Sequence, residues 1–245
     1  MAFEIIEHAL KTDEHGLAGY IAYPQRSRPG PALLLVHQYT GLTGYLKIEA
    51  RKYARLGYTV VIPNLYEIMG HPFVTHIHLG AEIQRQTSDA QFVAAIRKGW
   101  DYLLKLEQVD PSRIAVTGYC MGGRIAIHFV AATPEVRAFV GYYPTVRDEP
   151  RTEMRPRRGW EAAADFTCPS LILFGAGDHV SPVDVQDLLQ KALRDNGQRL
   201  EWHFFAHGGH GFIDPDAFYD PHVGELAWPL VVDFLERELD NFDRA

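Results

Sequence analysis

Residues Gly118-Tyr119-Cys120-Met121-Gly122 place a thiol at the end of the β-branched run RIAVTG and directly ahead of the apolar segment IAIHFVAA. The spacing is that of G-x-S-x-G with cysteine in the serine position. A chain that turns this sharply from strand to helix holds its corner residue in strained backbone geometry, and glycines two residues to either side relieve the crowding. The corner lifts the side chain above the end of the sheet. There the backbone N–H of Met121, near the start of the following helix, can stabilise an oxyanion and favour a thiolate. The plainer reading of Cys120 is a small thiol that fills a tight corner before a buried helix.

A nucleophilic thiol needs a base, and the base needs a group that orients it. The run LILFGAGDHVSP offers Asp178, and FFAHGGHGF offers His207 and His210. The order expected with this corner is nucleophile, acid, histidine, each at the carboxyl end of a strand. His210 is the preferred base, because Gly209 and Gly211 let its loop fold back over Cys120. His207 lies nearer the strand. Asp184 is the rival acid but falls in the helix after the turn, and Asp178 could instead merely cap that helix.

The elements that must position these residues alternate along the chain. Apolar runs at 16–24, 31–38, 58–66, 113–120, 136–144, 169–178 and 200–209 read as strands. Helical periods cover 45–57, 88–108 behind the cap residue Ser88, 182–196 before Gly197, and 222–239, where Pro229 predicts a kink. This rhythm predicts one α/β domain over 1–245, a mostly parallel sheet flanked by helices on both faces. The least patterned stretches, 66–87 and 145–168, are expected as active-site loops beyond strand ends.

Composition sets the surroundings. Of 245 residues, 47% are hydrophobic and 22% charged, as in ordinary soluble domains. A net charge of −7 argues against nucleic acid and anionic membrane as partners. No run reaches the roughly 18 apolar residues of a membrane span. The opening MAFEIIEHALKTDEHG lacks the charged-then-apolar pattern of an export signal, and two cysteines imply no disulfide framework. A cytoplasmic protein, monomeric or a small homo-oligomer, is the expectation. His71, His76 and His78 have no carboxylate or cysteine to complete a metal-binding spacing and read as a polar lid, so no metal and no cofactor are expected. Cys168 reads as a buried, inert thiol, and Arg155–Arg158 as solvated loop charge.

Taken together, GYCMGG, GDHVSP and GHGF, with HQYTGL and VVIPNLY earlier in the chain, resemble the dienelactone hydrolase family. The likeness runs over nearly the whole length. It implies the α/β-hydrolase fold and cofactor-free cleavage of a small lactone or ester through an acyl-cysteine. By the resemblance Cys120 is the nucleophile, His210 the base and Asp178 its orienter, and the backbone N–H groups of Tyr39 and Met121 form the oxyanion hole. Two departures matter. Gln38 stands where the best-known members carry a glutamate that helps control thiol ionisation. Ile213 and Asp214 stand where those members carry an arginine shortly after the histidine. Arg85 in AEIQRQ matches the other family arginine, or is simply a solvated loop charge, so Gln38 and Arg85 are the substrate-side candidates. Two other classes remain open: a catalytically weak hydrolase fold that binds a ligand or senses redox state through its thiol, and a metal-dependent hydrolase.

Overall fold

The computed structural model describes residues 3–11, 16–72, 74, 77–215 and 219–240. His76 of the histidine-bearing stretch and residues 12–15 of the opening segment therefore lie outside the described residues. The backbone divides into two compact units, 1–114 and 115–245.

The first unit contains β1 (Ile5–Leu10), β2 (Gly19–Pro24), β3 (Gly30–Val36), α1 (Gly44–Arg55), β4 (Thr59–Pro63), α2 (Leu65–Ile68), α3 (Ile77–Gln86) and α4 (Asp89–Leu103). Its strand order is β1-β2-β4-β3, with β3 and β4 parallel and the other two pairings antiparallel. Every residue of β3 and β4 is buried, which is why these runs are apolar without alternation. Strand β1 carries no such signal: its four central residues, Ile6 to Ala9, are exposed, and among the described residues it pairs only with β2, the next strand in the chain. Ser88 caps α4 as expected. Its hydroxyl accepts from Gln91 N–H and the Gln91 side chain accepts from Ser88 N–H, an arrangement that typically contributes about 1 kcal/mol.

The stretch 66–87, expected as an active-site loop, is largely helical. It holds most of α2 and all of α3. Gly80 weakens the helical signal of α3, yet a Cβ there would sit 2.0 Å from the Tyr39 carbonyl oxygen. The glycine is kept for a close approach rather than for a turn.

Strand β5 (Val109–Tyr119) runs across the boundary into the second unit, which continues with α5 (Met121–Ala131), β6 (Ala138–Tyr142), α6 (Gly159–Ala163), β7 (Ser170–Gly177), α7 (Val183–Asp195), β8 (Leu200–Gly209), α8 (Pro221–Leu235) and a π-helical turn, Glu236–Asp240. Strands β5, β6, β7 and β8 lie side by side in that order, all parallel. Their carboxyl ends therefore share one edge. The 145–168 stretch is irregular except for the five residues of α6. Pro229 lies inside α8, and Gly197 follows α7 with φ +79°, the left-handed conformation expected of a helix stop. Strands β7 and β8 converge at their carboxyl ends, where the register shifts between Gly175 and Gly177. A Cβ on Gly175 would lie 2.0 Å from the Gly208 carbonyl oxygen, so the two backbones pass at a distance no side chain allows.

Candidate active site

Cys120 follows β5 and caps the amino end of α5, with φ +53° and ψ −120°. Such a conformation costs a non-glycine residue on the order of 1–3 kcal/mol and persists only where its surroundings over-determine it. Here they do. Cys120 N–H donates to the Tyr142 carbonyl at 3.1 Å, and its own carbonyl accepts from Arg124 N–H at 3.1 Å and Thr145 N–H at 2.9 Å. The corner closes because Gly118 and Gly123 touch: a Cβ on Gly118 would lie 2.6 Å from Gly123 Cα. The glycines flanking the thiol at equal distance suggested Gly118 and Gly122. The second member of the tight contact is instead Gly123, one residue further into α5.

Asp178 directly follows β7 and His210 directly follows β8. His210 Nε2 lies 3.0 Å from Cys120 Sγ, and His210 Nδ1 donates to Asp178 Oδ2 at 2.9 Å. All three residues are buried. The other carboxylate oxygen, Oδ1, accepts from Val180 N–H and Ser181 N–H, each at 2.9 Å. Asp178 thus orders its own turn and orients the imidazole, so the capping role weighed against it accompanies the orienting one. The cap position of α7 itself is Pro182. The rivals stay outside: His207 is exposed on β8, and Asp184 is exposed in the first turn of α7.

Electrostatics at this corner favour moving the proton from sulfur to imidazole. Burial pushes the Cys120 thiol upward, but the His210 charge, hydrogen bonds from His210 and Thr145, and the Met121 backbone N–H together bring it below its usual 9.0. Burial pushes His210 down, and the Cys120 charge together with the Asp178 and Cys120 hydrogen bonds outweighs it, lifting the imidazole to about 10. Both shifts favour the thiolate and imidazolium form of the pair over thiol and neutral imidazole.

Three neighbours of the site were not legible beforehand. Thr145, buried after β6, places Oγ1 3.4 Å from Cys120 Sγ. Ser181 Oγ donates to the Pro144 carbonyl at 3.1 Å and accepts from Val146 N–H at 3.0 Å, tying the loop after β6 to the Asp178 turn. Tyr143, with φ +37°, sets its ring edge-on to His210 at 5.2 Å between centroids. The one sequence signal for these contacts is that loops following adjacent parallel strands meet, and chain order alone does not establish which strands are adjacent. Buried Arg124 adds a further tie, an ion pair at 2.9 Å to Glu149 of the same loop. In the Arg155–Arg158 run, Arg157 pairs with Asp165 and Arg158 with Asp148 and Glu161.

The first unit carries the remaining candidates. His37 Nδ1–H donates to the Gln38 carbonyl at 2.8 Å, and Nε2 accepts from Leu65 N–H at 3.0 Å. Burial takes this imidazole down to about 4, so it stays neutral and its tautomer is set. Gln38 is buried and its side-chain amide donates to Thr40 Oγ1 at 3.4 Å. Tyr39 is held at both ends: its carbonyl accepts from Tyr66 O–H, and its own O–H donates to Gln84 Oε1. Arg85 is exposed in the last turn of α3.

Parallel strands with a strained Cys120 corner and a histidine and aspartate at successive strand ends define an α/β hydrolase. Solved structures agree on the fold. A crystal structure titled "Putative Dienelactone Hydrolase" from Klebsiella pneumoniae superposes with TM-score 0.86 at 26% identity, covering 95% of this chain and 98% of that one. Pyrococcus horikoshii acylaminoacyl peptidase shares the fold at TM-score 0.76 and 21% identity, over 98% of this chain and 42% of its own. The family model described as "Dienelactone hydrolase family" matches residues 17–239, and the chain belongs to that family. It is, with the family, a carboxylic ester or lactone hydrolase. The "Putative carboxymethylenebutenolidase" of Methylorubrum extorquens is 29% identical over 224 residues, which is 90% of this chain and 77% of that protein. A Bradyrhizobium protein named "Probable 2-oxo-3-(5-oxofuran-2-ylidene)propanoate lactonase" is 27% identical over 237 residues, 93% of this chain and 92% of its own.

Proposed function

We propose that the protein hydrolyses a small lactone or ester through an acyl-cysteine on Cys120. The observation that carries this reading is the line Asp178–His210–Cys120, with contacts of 2.9 and 3.0 Å at a corner of positive φ.

The Cys120 thiolate attacks the substrate carbonyl carbon, forming a C–S bond as the carbonyl oxygen takes up the electron pair. The Met121 backbone N–H stands at the start of α5 as one donor for that oxyanion. The resemblance assigns Tyr39 N–H as its companion, and Gln38 and Arg85 to the substrate side. Collapse restores the carbonyl and breaks the C–O bond, and the departing oxygen takes the proton from His210 Nε2. In a lactone this oxygen stays tethered to the acyl group.

Acylation removes the charge from sulfur, and with it the largest influence holding the His210 proton. Burial then lowers the imidazole toward the range of a general base, with Asp178 still orienting it. His210 takes a proton from water, the hydroxide equivalent attacks the thioester, and the C–S bond breaks to release the acid. Thiolate and imidazolium are restored.

The test is acyl-enzyme trapping with aryl esters and lactones, read by intact mass and peptide mapping. An adduct on the Cys120 peptide and loss of turnover in Cys120→Ala are the expected results. An adduct confined to Cys168, or an alanine variant that turns over at the parent rate, would overturn the assignment.

A further inference from the structure

The polar contacts of the second unit close into a ring around the sulfur. From Cys120 Sγ the ring passes through His210 and Asp178 to Ser181 N–H. Ser181 Oγ then bridges Pro144 and Val146, the two neighbours of Thr145 in the chain. Thr145 returns to the start twice, through N–H to the Cys120 carbonyl at 2.9 Å and through Oγ1 to Sγ at 3.4 Å. Its backbone is thus held on both sides, with the side-chain hydroxyl directed at the sulfur.

Among the described residues, the Cys120 sulfur is the one hydrogen-bond partner of the Thr145 hydroxyl. Thr145 is 2% exposed. A buried hydroxyl is costly unless bonded, and valine would fill the same space at no such cost. When the sulfur is a thiolate it can only accept, so the hydroxyl proton must point at it. From the sequence, only His210 and the helix start were expected to hold the thiolate.

We infer that Thr145 is a further catalytic residue of this chain, a second side-chain donor on the reacting sulfur that favours the thiolate both as nucleophile and as leaving group. The inference rests on Cys120 as the nucleophile. The hydroxyl proton stays on Oγ1 throughout. The bond weakens when sulfur becomes a thioester and re-forms as the C–S bond breaks, so it favours release of the acyl group. Among the described residues of the second unit, the titratable side chain facing the sulfur is His210, with Asp178 behind it, whereas Thr145 and Met121 N–H are neutral donors.

The measurement is the rate of Cys120 alkylation by iodoacetamide as a function of pH, with peptide mapping, on the full chain. Thr145→Val should move the acid limb upward by on the order of one pH unit, which is about tenfold slower labelling at a pH on that limb. Thr145→Ser, which keeps the hydroxyl, should retain the parent limb. Superimposable parent and valine limbs would overturn the inference. Equal displacement by valine and serine would overturn it as well, because shape rather than the hydroxyl would then be at work. Labelling of Cys168 would mark an opened fold in the valine variant, and Thr145→Ala then takes its place in the comparison with serine. Alkylation reads the sulfur without substrate, so its outcome is independent of whether Cys120→Ala abolishes hydrolysis.

Discussion

Cys120 and Cys168 are both free and both buried, at 8% and 2% exposure, yet their thiols are driven apart. At Cys168 burial dominates and pushes the thiol up to about 12, with only partial relief from the Arg137 charge. At Cys120 burial acts in the same direction, but His210, Thr145 and the Met121 N–H reverse it. The contrast follows the polarity of the sheet. Cys168 stands just ahead of the amino end of β7, whereas Cys120 stands at the carboxyl end of β5, on the edge where the loops after β6, β7 and β8 meet. Desolvation alone makes a thiol inert, and converging donors make it a thiolate.

Removing the donor that does most at Cys120 should break the contrast. His210→Ala is expected to lower turnover of the best lactone or ester by at least about 10³-fold, and Asp178→Asn by on the order of 10². His207→Ala should stay within a few-fold of the parent. Steady-state rates for the three variants under one set of conditions decide this, and a larger loss at His207 than at His210 would reverse the assignment of the base.

Chemical labelling sharpens the same contrast in the parent protein. The Cys168 thiol is pushed up to about 12 while the Cys120 thiol is brought below its usual value, so near neutral pH far more of Cys120 is thiolate, offset in part by the lower nucleophilicity of the more acidic thiol. The folded protein should therefore alkylate at Cys120 at least about tenfold faster than at Cys168. The Cys120 rate should fall as pH drops through its own depressed pKa, because protonation removes the thiolate. Mass mapping of a time course checks both statements, and comparable rates at the two peptides in folded protein would contradict them.

The smallest effect belongs to the inert thiol. Cys168→Ala should leave turnover unchanged and lower stability by about 1 kcal/mol, since it removes a buried sulfur and leaves a small void. Urea unfolding should show a lower midpoint with an unchanged slope.

The proposed reacting residues were legible because each sits where local pattern is strongest, directly after an apolar run and among glycines. Cys120, Asp178 and His210 could each be picked from fewer than a dozen neighbouring residues. The buried strands were legible for the same reason. What stayed hidden depends on adjacency in space. Thr145 and Ser181 belong to irregular segments, and their meaning appears only once β5, β6, β7 and β8 are known to be neighbours in that order. Strand β1 was missed because its exposed residues show no alternation, and α3 because Gly80 disguises a packed helix as a loop.

The missing side chains at Gly175 and Gly208 bear on any attempt to move this chemistry elsewhere. Their backbones meet just before Asp178 and His210 begin, so the span between carboxylate and imidazole is set by the nearness of two bare peptide segments. A designer grafting Cys, His and Asp onto another parallel sheet would copy the reacting atoms and still leave acid and base too far apart. The graft would have to carry Gly175 and its close approach to the Gly208 backbone with it, as components of the proposed active centre that contribute no atom to the reaction.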